Sequence, residues 1–377
     1  MLSLCCKVGD DTSLVNEWLH AFINPKIQEL SLDFDNVEEP LVFPDHLFTC
    51  ATLTWFRLSM NRIFDLPSSI HFQSLRKLIL MHVILPDGSS TQRLFSSCPS
   101  LEDLALMDCD WENVTTDVCI SSPMLQTLTI TEWDEDWGRN GLKRRKVVII
   151  GNNLKSISLG GDVSNDYFLL NSTSVTDASI ELQAPDVWWT DDWKIDTGYF
   201  IFRLLREIPK VEKLSFSDNV LEAISFTLPL LQRLPLLCNL AELHVMGATV
   251  PVDLSCEGLM TILQKSYCLR ELHFELGGVS LSKKKEDYIL DTLPVCFKKH
   301  LKIITICGCS GSKGELNAIR VLLQAASVLE TLSISCFSPE FPDFDTPEGS
   351  KSLSKMFGKI LCFPRGSVDC DIKFDFI

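Results

Sequence analysis

The apolar positions of this chain fall into one phrase, L-x-x-L-x-L, which recurs from end to end with Ile, Val or Phe allowed. It stands at Leu53-Phe56-Leu58, Leu75-Leu78-Leu80, Leu101-Leu104-Leu106, Leu125-Leu128-Ile130 and Leu154-Ile157-Leu159. It continues at Val211-Leu214-Phe216, Leu240-Leu243-Val245, Leu269-Leu272-Phe274, Leu301-Ile304-Ile306 and Leu329-Leu332-Ile334. Weaker copies are Ile27-Leu30-Leu32, Val175-Ala178-Ile180 and a last one ending at Ile372 and Phe374. The starts lie 21 to 40 residues apart. A period of that length implies a stacked solenoid in which neighbouring repeats build one continuous core. The last two apolar positions of each phrase are two residues apart, as on one face of a strand. They point inward and the residues beside them point out.

The predicted fold is therefore an α/β, right-handed leucine-rich-repeat solenoid of about twelve or thirteen degenerate repeats. Thirteen parallel strands at about 4.8 Å would give a curved sheet roughly 60 Å long. Such repeats place Asn or Cys just after the strand, where the side chain serves buried backbone groups. Asn61, Cys109, Asn219 and Cys309 hold that position, with Asp35 and Asp162 as approximate substitutes. Apolar spacing predicts outer helices over 91–97, 199–207, 258–266 and 317–326, and an outer layer that is helical for much of its length. An amphipathic helix from Asp11 to Phe22 is expected to cap the start, burying Leu14, Trp18 and Leu19, and a charged strand over 369–377 to close the end. The expected division is a short segment 1–11, a solenoid 12–293 and terminal repeats with a cap over 294–377.

Two insertions break the rhythm. Residues 131–146 carry Trp133, Trp137 and the basic run Lys143-Arg144-Arg145-Lys146. Residues 184–198 carry Trp188, Trp189 and Trp193 among Asp186, Asp191, Asp192 and Asp196. Tryptophans in such loops pack back as plugs or serve binding. The basic run is a weak nuclear-localisation signal or a solvated charged face.

Composition narrows the function. With 50 acids against 34 bases the net charge is −16, which disfavours nucleic acid or an anionic membrane as the main partner. The 15 cysteines are scattered without a C-x-x-C pair, so a zinc site is not expected and a reducing compartment is. The first residues are too short and too acidic for a signal peptide, and no apolar run reaches the ~18 residues of a membrane helix. Cytoplasm and/or nucleus is the expected location. No G-x-S-x-G, H-E-x-x-H, Walker loop or G-x-G-x-x-G occurs, so neither an enzyme nor a cofactor is expected. The glycines of 308–314 lack the phosphate-loop spacing.

The order of phrases resembles the plant F-box/leucine-rich-repeat proteins that end in an FBD domain. Val15-Asn16-Glu17-Trp18-Leu19 with Ile27-Gln28-Glu29-Leu30-Ser31-Leu32 is similar to the family's opening repeat. Pro44-Asp45-His46-Leu47-Phe48-Thr49-Cys50 resembles the next, and Leu94-Phe95-Ser96-Ser97-Cys98-Pro99-Ser100-Leu101-Glu102-Asp103-Leu104 is the most characteristic stretch. Leu301-Lys302-Ile303-Ile304, Gly311, Glu315-Leu316, Val328-Leu329-Glu330-Thr331-Leu332 and Ile360-Leu361-Cys362-Phe363-Pro364-Arg365-Gly366-Ser367 resemble the FBD region. The resemblance implies a non-catalytic, substrate-recognising part of a cullin–RING ubiquitin ligase subunit. In the family a preceding F-box docks on a Skp adaptor. About ten residues precede the first repeat here, too few for a three-helix module, so the F-box is expected to be lost or to lie in a longer product. Skp adaptor and cullin are expected partners only where an F-box is present. The alternatives are a scaffold or competitor that recruits no ligase, and a small-molecule sensor using the concave face.

The outward strand positions supply the candidate site. Trp55, Arg57, Lys77, Met81 and Met107, near Ile79 and Asp103, make an early patch with the residue types of a binding hot spot. Middle repeats present only Thr127, Thr129, Ser156 and Ser158. Later repeats present Glu242 and His244, then Glu271, His273 and Glu275. His244 and His273 share a register and should be neighbours, with the carboxylates favouring charged imidazole and making binding pH-sensitive. A zinc pair lacks a clear third ligand.

Overall fold

Leu78 and Leu80 are fully buried, while Lys77, Ile79 and Met81 beside them in the same strand are half-exposed. That alternation repeats in strand after strand and sets the architecture: each phrase is a short strand whose even positions feed the core. The computed structural model describes residues 1–9, 12–132, 145–161, 165–183, 190–247, 251–275, 278–282, 293–336 and 347–376. The chain divides into two units, Met1–Val175 and Thr176–Ile377.

In the first unit the strands β1 (Leu2–Gly9), β2 (Glu29–Val37), β3 (Trp55–Met60), β4 (Lys77–Met81) and β5 (Asp103–Met107) pair in parallel and in order. Beyond the outer strand β6 (Val118–Ser121), the main sheet continues with β7 (Thr127–Glu132) and, past β8 (Lys146–Ile150), β9 (Ser156–Gly161). Leu30, Phe56, Leu78, Leu104, Leu128 and Ile157 face one another across it as one buried column. The strand starts are tied by shared carbonyls: Gln28 O accepts from the amides of Thr54 and Trp55, and Thr54 O from those of Arg76 and Lys77. Phe43, Phe48, Phe56, Phe64 and Phe72 fill the space behind the early strands, with ring centroids 5.6–6.4 Å apart. Aromatic edges against faces make such a cluster more than buried area.

The expected helical outer layer holds only partly here. α1 (Ser13–Phe22) and α2 (Gly88–Ser96) are present, but β6, β8 and β10 (Asp166–Leu170) form a second, three-stranded parallel sheet. Val147-Val148-Ile149-Ile150 is β-branched throughout and Tyr167-Phe168-Leu169-Leu170 opens with two aromatics, which suits strands better than helices. The Gln92 side chain on α2 completes the edge of β6. Its amide donates to Cys119 O at 3.0 Å and its oxygen accepts from Cys119 N at 2.6 Å. The expected burial of α1 is also corrected. Val15 and Leu19 face the core, while Leu14 and Trp18 lie on the exposed side with Phe22. The short segment before it holds strand β1.

In the second unit the main sheet runs β11 (Asp177–Leu182), β12 (Lys213–Ser217), β13 (Glu242–Met246), β15 (Glu271–Glu275), β17 (Ile303–Ile306), β18 (Thr331–Cys336) and β19 (Asp371–Phe376), all parallel. The two-residue strands β14 (Val252–Asp253) and β16 (Val279–Ser280) pair outside it. Helices α3 (Asp191–Glu207), α4 (Asp218–Ser225), α5 (Leu228–Leu231), α6 (Glu257–Lys265), α7 (Val295–Lys299), α8 (Lys313–Ala325) and α9 (Pro347–Leu361) make this unit's outer layer. Trp193 on α3 is buried as a packing plug. Beside it Lys194 Nζ meets Glu222 Oε1 at 2.7 Å and lies 4.7 Å from the Phe226 ring centroid. The expected final strand is β19, and Phe357 of α9 stacks on its Phe374 at 4.0 Å.

Trp133, Trp137, Trp188, Trp189, Asp162, Lys143 and Arg144 lie outside the described residues. Of the basic run, Arg145 Nε donates to Val114 O at 2.6 Å and Lys146 sits in β8, so both serve the fold. Among the described residues no helix is long and apolar enough to cross a membrane.

Candidate functional site

The residues after each strand do what repeat chemistry requires. Asn61 Oδ1 accepts from Val37 N at 3.2 Å, Cys109 Sγ donates to Leu80 O at 3.5 Å, and Asn219 Nδ2 donates to Leu182 O at 3.2 Å. Each bonds a backbone group one repeat away, and at Leu182 O the Ser217 hydroxyl donates as well, at 2.8 Å. Burial pushes the Cys109 thiol up to about 12, so it is a hydrogen-bonding hydrophobe and no nucleophile. At the buried Cys309, hydrogen bonding with Cys336 and then burial also push the thiol upward.

Parallel pairing without a bulge puts the outward residues of the first unit in rows. Trp55, Lys77, Asp103, Thr127 and Ser156 form one row, and Arg57, Ile79, Ala105, Thr129 and Ser158 the next. Ser59, Met81, Met107 and Thr131 form the third. Ile79, Ala105, Met81 and Met107 thus make a contiguous apolar block on β4 and β5, with Trp55 at one corner. Its charged rim is internally neutralised. Lys77 Nζ lies 2.6 Å from Asp103 Oδ2, and an Arg57 terminal nitrogen lies 3.6 Å from Asp33 Oδ2. Arg57 Nε also approaches Met81 Sδ at 3.4 Å. The five early candidates therefore lie together. Asp33 and Ala105 were missed, although the register of the phrases places both beside them.

The second unit gathers the later candidates. Glu242 pairs with Glu271 and His244 with His273 across β13 and β15. The two imidazoles stack, with centroids 4.3 Å apart and planes inclined by 15°. His244 Nδ1 lies 2.7 Å from Glu275 Oε1, and His273 Nε2 lies 3.3 Å from Glu271 Oε2. His244 Nε2 is 3.7 Å from Glu242 Oε2, beyond hydrogen-bond reach, and is buried without a hydrogen-bond partner. The expectation that the carboxylates favour charged imidazole is reversed at His273. Burial and then the neighbouring His244 hold its pKa below the usual value, outweighing Glu271 and Glu242. Two unit charges about 4 Å apart repel by about 4 kcal/mol at an effective dielectric near 20, so the stack resists double protonation. Among the described residues no three His, Cys, Asp or Glu side chains are grouped to hold a metal ion.

Comparison with known proteins places this architecture. Residues 15–147 match the family described as "FBD-associated F-box protein At5g56370, LRR repeats". The F-box/FBD/LRR-repeat protein At5g56420 of Arabidopsis thaliana is 36% identical over 128 residues, 34% of this chain and 29% of that relative. Two further Arabidopsis thaliana proteins match along almost all of it. The putative F-box/FBD/LRR-repeat protein At5g22670 is 26% identical, covering 97% of this chain and 79% of its own length. The F-box protein At4g27050 is 25% identical, covering 99% and 78%. The repeats over residues 15–147 are similar to those of FBD-associated F-box proteins, and nearly the whole chain is similar to F-box proteins of Arabidopsis thaliana.

The phrases that carried that resemblance have clear structural work. In the stretch around Cys98, Leu101 N donates to Cys98 O at 3.2 Å and closes the turn into β5, while Ser100 Oγ reaches back to Gln73 O at 2.8 Å. Thr52, Ser122 and Ser174 each donate a hydroxyl to the carbonyl of Ile27, Leu101 or Leu154 in the preceding repeat. In the FBD-like tail, the buried Glu315 carboxylate accepts from Ser310 N, Ser310 Oγ and Ser312 N at 2.7–3.2 Å. Ser312 returns the bond to Glu315 N at 3.3 Å and caps α8. Gly311 has φ +78°, and a Cβ there would stand 2.5 Å from Met356 Sδ.

Proposed function

We propose that the open sheet face recognises a protein partner, as the substrate-recognising part of an SCF-type ubiquitin ligase subunit. The observation that carries this is the block Ile79, Ala105, Met81 and Met107 with Trp55 at its corner. It is an apolar patch on the sheet, flanked by the Lys77–Asp103 and Arg57–Asp33 ion pairs, which balance each other's charge without a partner. Buried apolar anchors surrounded by a polar rim are how protein interfaces concentrate their energy, and Met adapts to irregular partners. The relatives named as F-box proteins support assigning the partner to the ubiquitin pathway, with a Skp adaptor and cullin engaged through an F-box. The proposed location is cytoplasm and/or nucleus.

The test is affinity capture from plant extract with the full chain, with Trp55→Ala plus Met81→Ala, and with the exposed-surface control Lys210→Ala. A partner retained by the control and lost by the double variant supports the reading. Equal capture by all three overturns it. Co-capture of a Skp adaptor supports the ligase role. Patch-dependent capture without it favours a scaffold or competitor.

A further inference from the structure

The two terminal strands are finished differently. In the second unit β19 alternates Asp371, Lys373 and Asp375 on its exposed side, and Phe357 of α9 stacks on its inner Phe374. Charges along an edge strand and a covering helix are devices that keep an edge from pairing. In the first unit β1 is not guarded in that way. Leu2–Gly9 carries one charge, Lys7, and no acid. Its inner residues Leu2, Leu4 and Cys6 stand beside the buried Leu30, Leu32 and Phe34, yet together with Val8 they are only half-buried. Among the described residues no strand pairs with the outer edge of β1.

Helix α1 adds an apolar stripe on the same side. It connects β1 to β2 and so crosses behind the pair. Asn16 Oδ1 accepts from Val42 N at 2.9 Å, in the segment that leads on to β3, so the Asn16 side of the helix faces the next repeat. With a turn of about 100° per residue, Leu14 and Trp18 stand about 160° round the helix from Asn16, and Phe22 about 120°. They point away from the next repeat, toward the open edge, and are 56%, 39% and 57% exposed.

We propose that this end of the first unit binds a second copy of the chain, β1 against β1 in antiparallel, about a two-fold axis through Cys5. Opposed residues of an antiparallel pair share a face of the sheet. In this register Leu2 meets the partner's Val8, Leu4 meets the partner's Cys6 and Ser3 meets the partner's Lys7. Apolar inner residues thus face apolar ones, and the two lysines stay apart. Each edge supplies the backbone donors and acceptors that the other lacks, and the two α1 stripes meet behind the joined strands. Such a contact is self-complementary and closes at two chains. With a net charge of −16 two copies repel over most of their surfaces, and this acid-free strand is where they can meet. Leu14, Trp18 and Phe22 expose roughly 300 Å² of apolar side chain, as large as the main patch of many monomers. With β1 the face reaches roughly 600–700 Å² on each copy, which is what a specific dimer buries.

The experiment is sedimentation equilibrium of the full chain at micromolar concentrations, where a monomer–dimer equilibrium is expected. Trp18→Glu with Phe22→Glu is expected to weaken it about thirtyfold or more, the loss of a central anchor. Val42→Glu, 56% exposed on the other flank of α1, should leave it unchanged. A second measurement needs no variant on α1. Opposed residues in an antiparallel pair lie about 4.5–5.5 Å apart at Cα, within the span of a disulfide. Mild oxidation with copper phenanthroline should therefore link two chains through the exposed Cys5, seen by mass spectrometry of the linked peptide and lost in Cys5→Ser. A monomer at every concentration overturns the proposal and leaves this edge to a strand of another protein. So does a dimer that Val42→Glu weakens as much as the double substitution, a cross-link that survives Cys5→Ser, or growth beyond two chains.

Discussion

The Tyr167 hydroxyl donates to the Glu132 carboxylate inside the first unit, and Asn165 Nδ2 reaches the same oxygen at 2.5 Å. The pair ties the end of β7 to β10 of the outer sheet. Burial, and then the charge of Glu132, push the Tyr167 hydroxyl well above its ordinary pKa. A buried carboxylate is tolerated because donors meet it. Tyr167→Phe removes one donor and is expected to cost about 1–3 kcal/mol in urea unfolding. A loss within experimental error would show that the carboxylate is satisfied without it.

Glu315 offers a harder test in the second unit. It caps α8 and gathers three donors from the Ser310–Ser312 loop. Glu315→Ala is expected to destabilise by about 3 kcal/mol, because hydrogen bonds to a charged group are worth more than neutral ones. Glu315→Gln should fall between, since one amide oxygen remains as an acceptor. Denaturant midpoints of the three proteins give the order directly.

Helix α1 separates burial from hydrophobicity. Leu19 is 1% exposed and Leu14 is 56% exposed. Leu19→Ala is expected to cost about 2–5 kcal/mol, whereas Leu14→Ser should stay within about 0.5 kcal/mol. Thermal melts of the two variants distinguish this orientation of the helix from one in which Leu14 and Trp18 face the core.

The depressed pKa of His273 makes stability depend on pH. The unfolded imidazole takes a proton near its usual 6.5, before the folded one does. The unfolded state therefore binds more protons in the window below 6.5, and stability falls as pH drops through it. His273→Phe, which does not titrate, should unfold with a shallower loss between pH 7 and pH 5. An unchanged slope in urea midpoints across that range would mean that another group sets it.

Much of this was readable from spacing alone. The columns Leu30-to-Ile157 and the contact of His244 with His273 follow from a phrase whose strands pair without bulges. The position of the early patch follows for the same reason. The outer sheet did not follow. Val147–Ile150 and Tyr167–Leu170 are short apolar runs, and period cannot tell such a run from a buried helix segment. The facing of α1 was misread because Leu14, Trp18 and Phe22 form as regular an apolar stripe as Val15, Leu19 and Ile23, and only tertiary packing chooses between them. The sign at His273 was misread because the nearby acids are visible in the sequence while the degree of burial is not.

The alternation seen first in Lys77–Met81 has a consequence for how such a chain can change over generations. Leu78 and Leu80 hold the fold, and Lys77, Ile79 and Met81 hold none of that duty. Under the function proposed above, recognition and folding are written on interleaved letters of the same five-residue word. A substitution at an odd letter redraws one spot of the binding surface and leaves the stacking beneath it intact. The surface can therefore drift to new partners one residue at a time, without passing through unfolded intermediates.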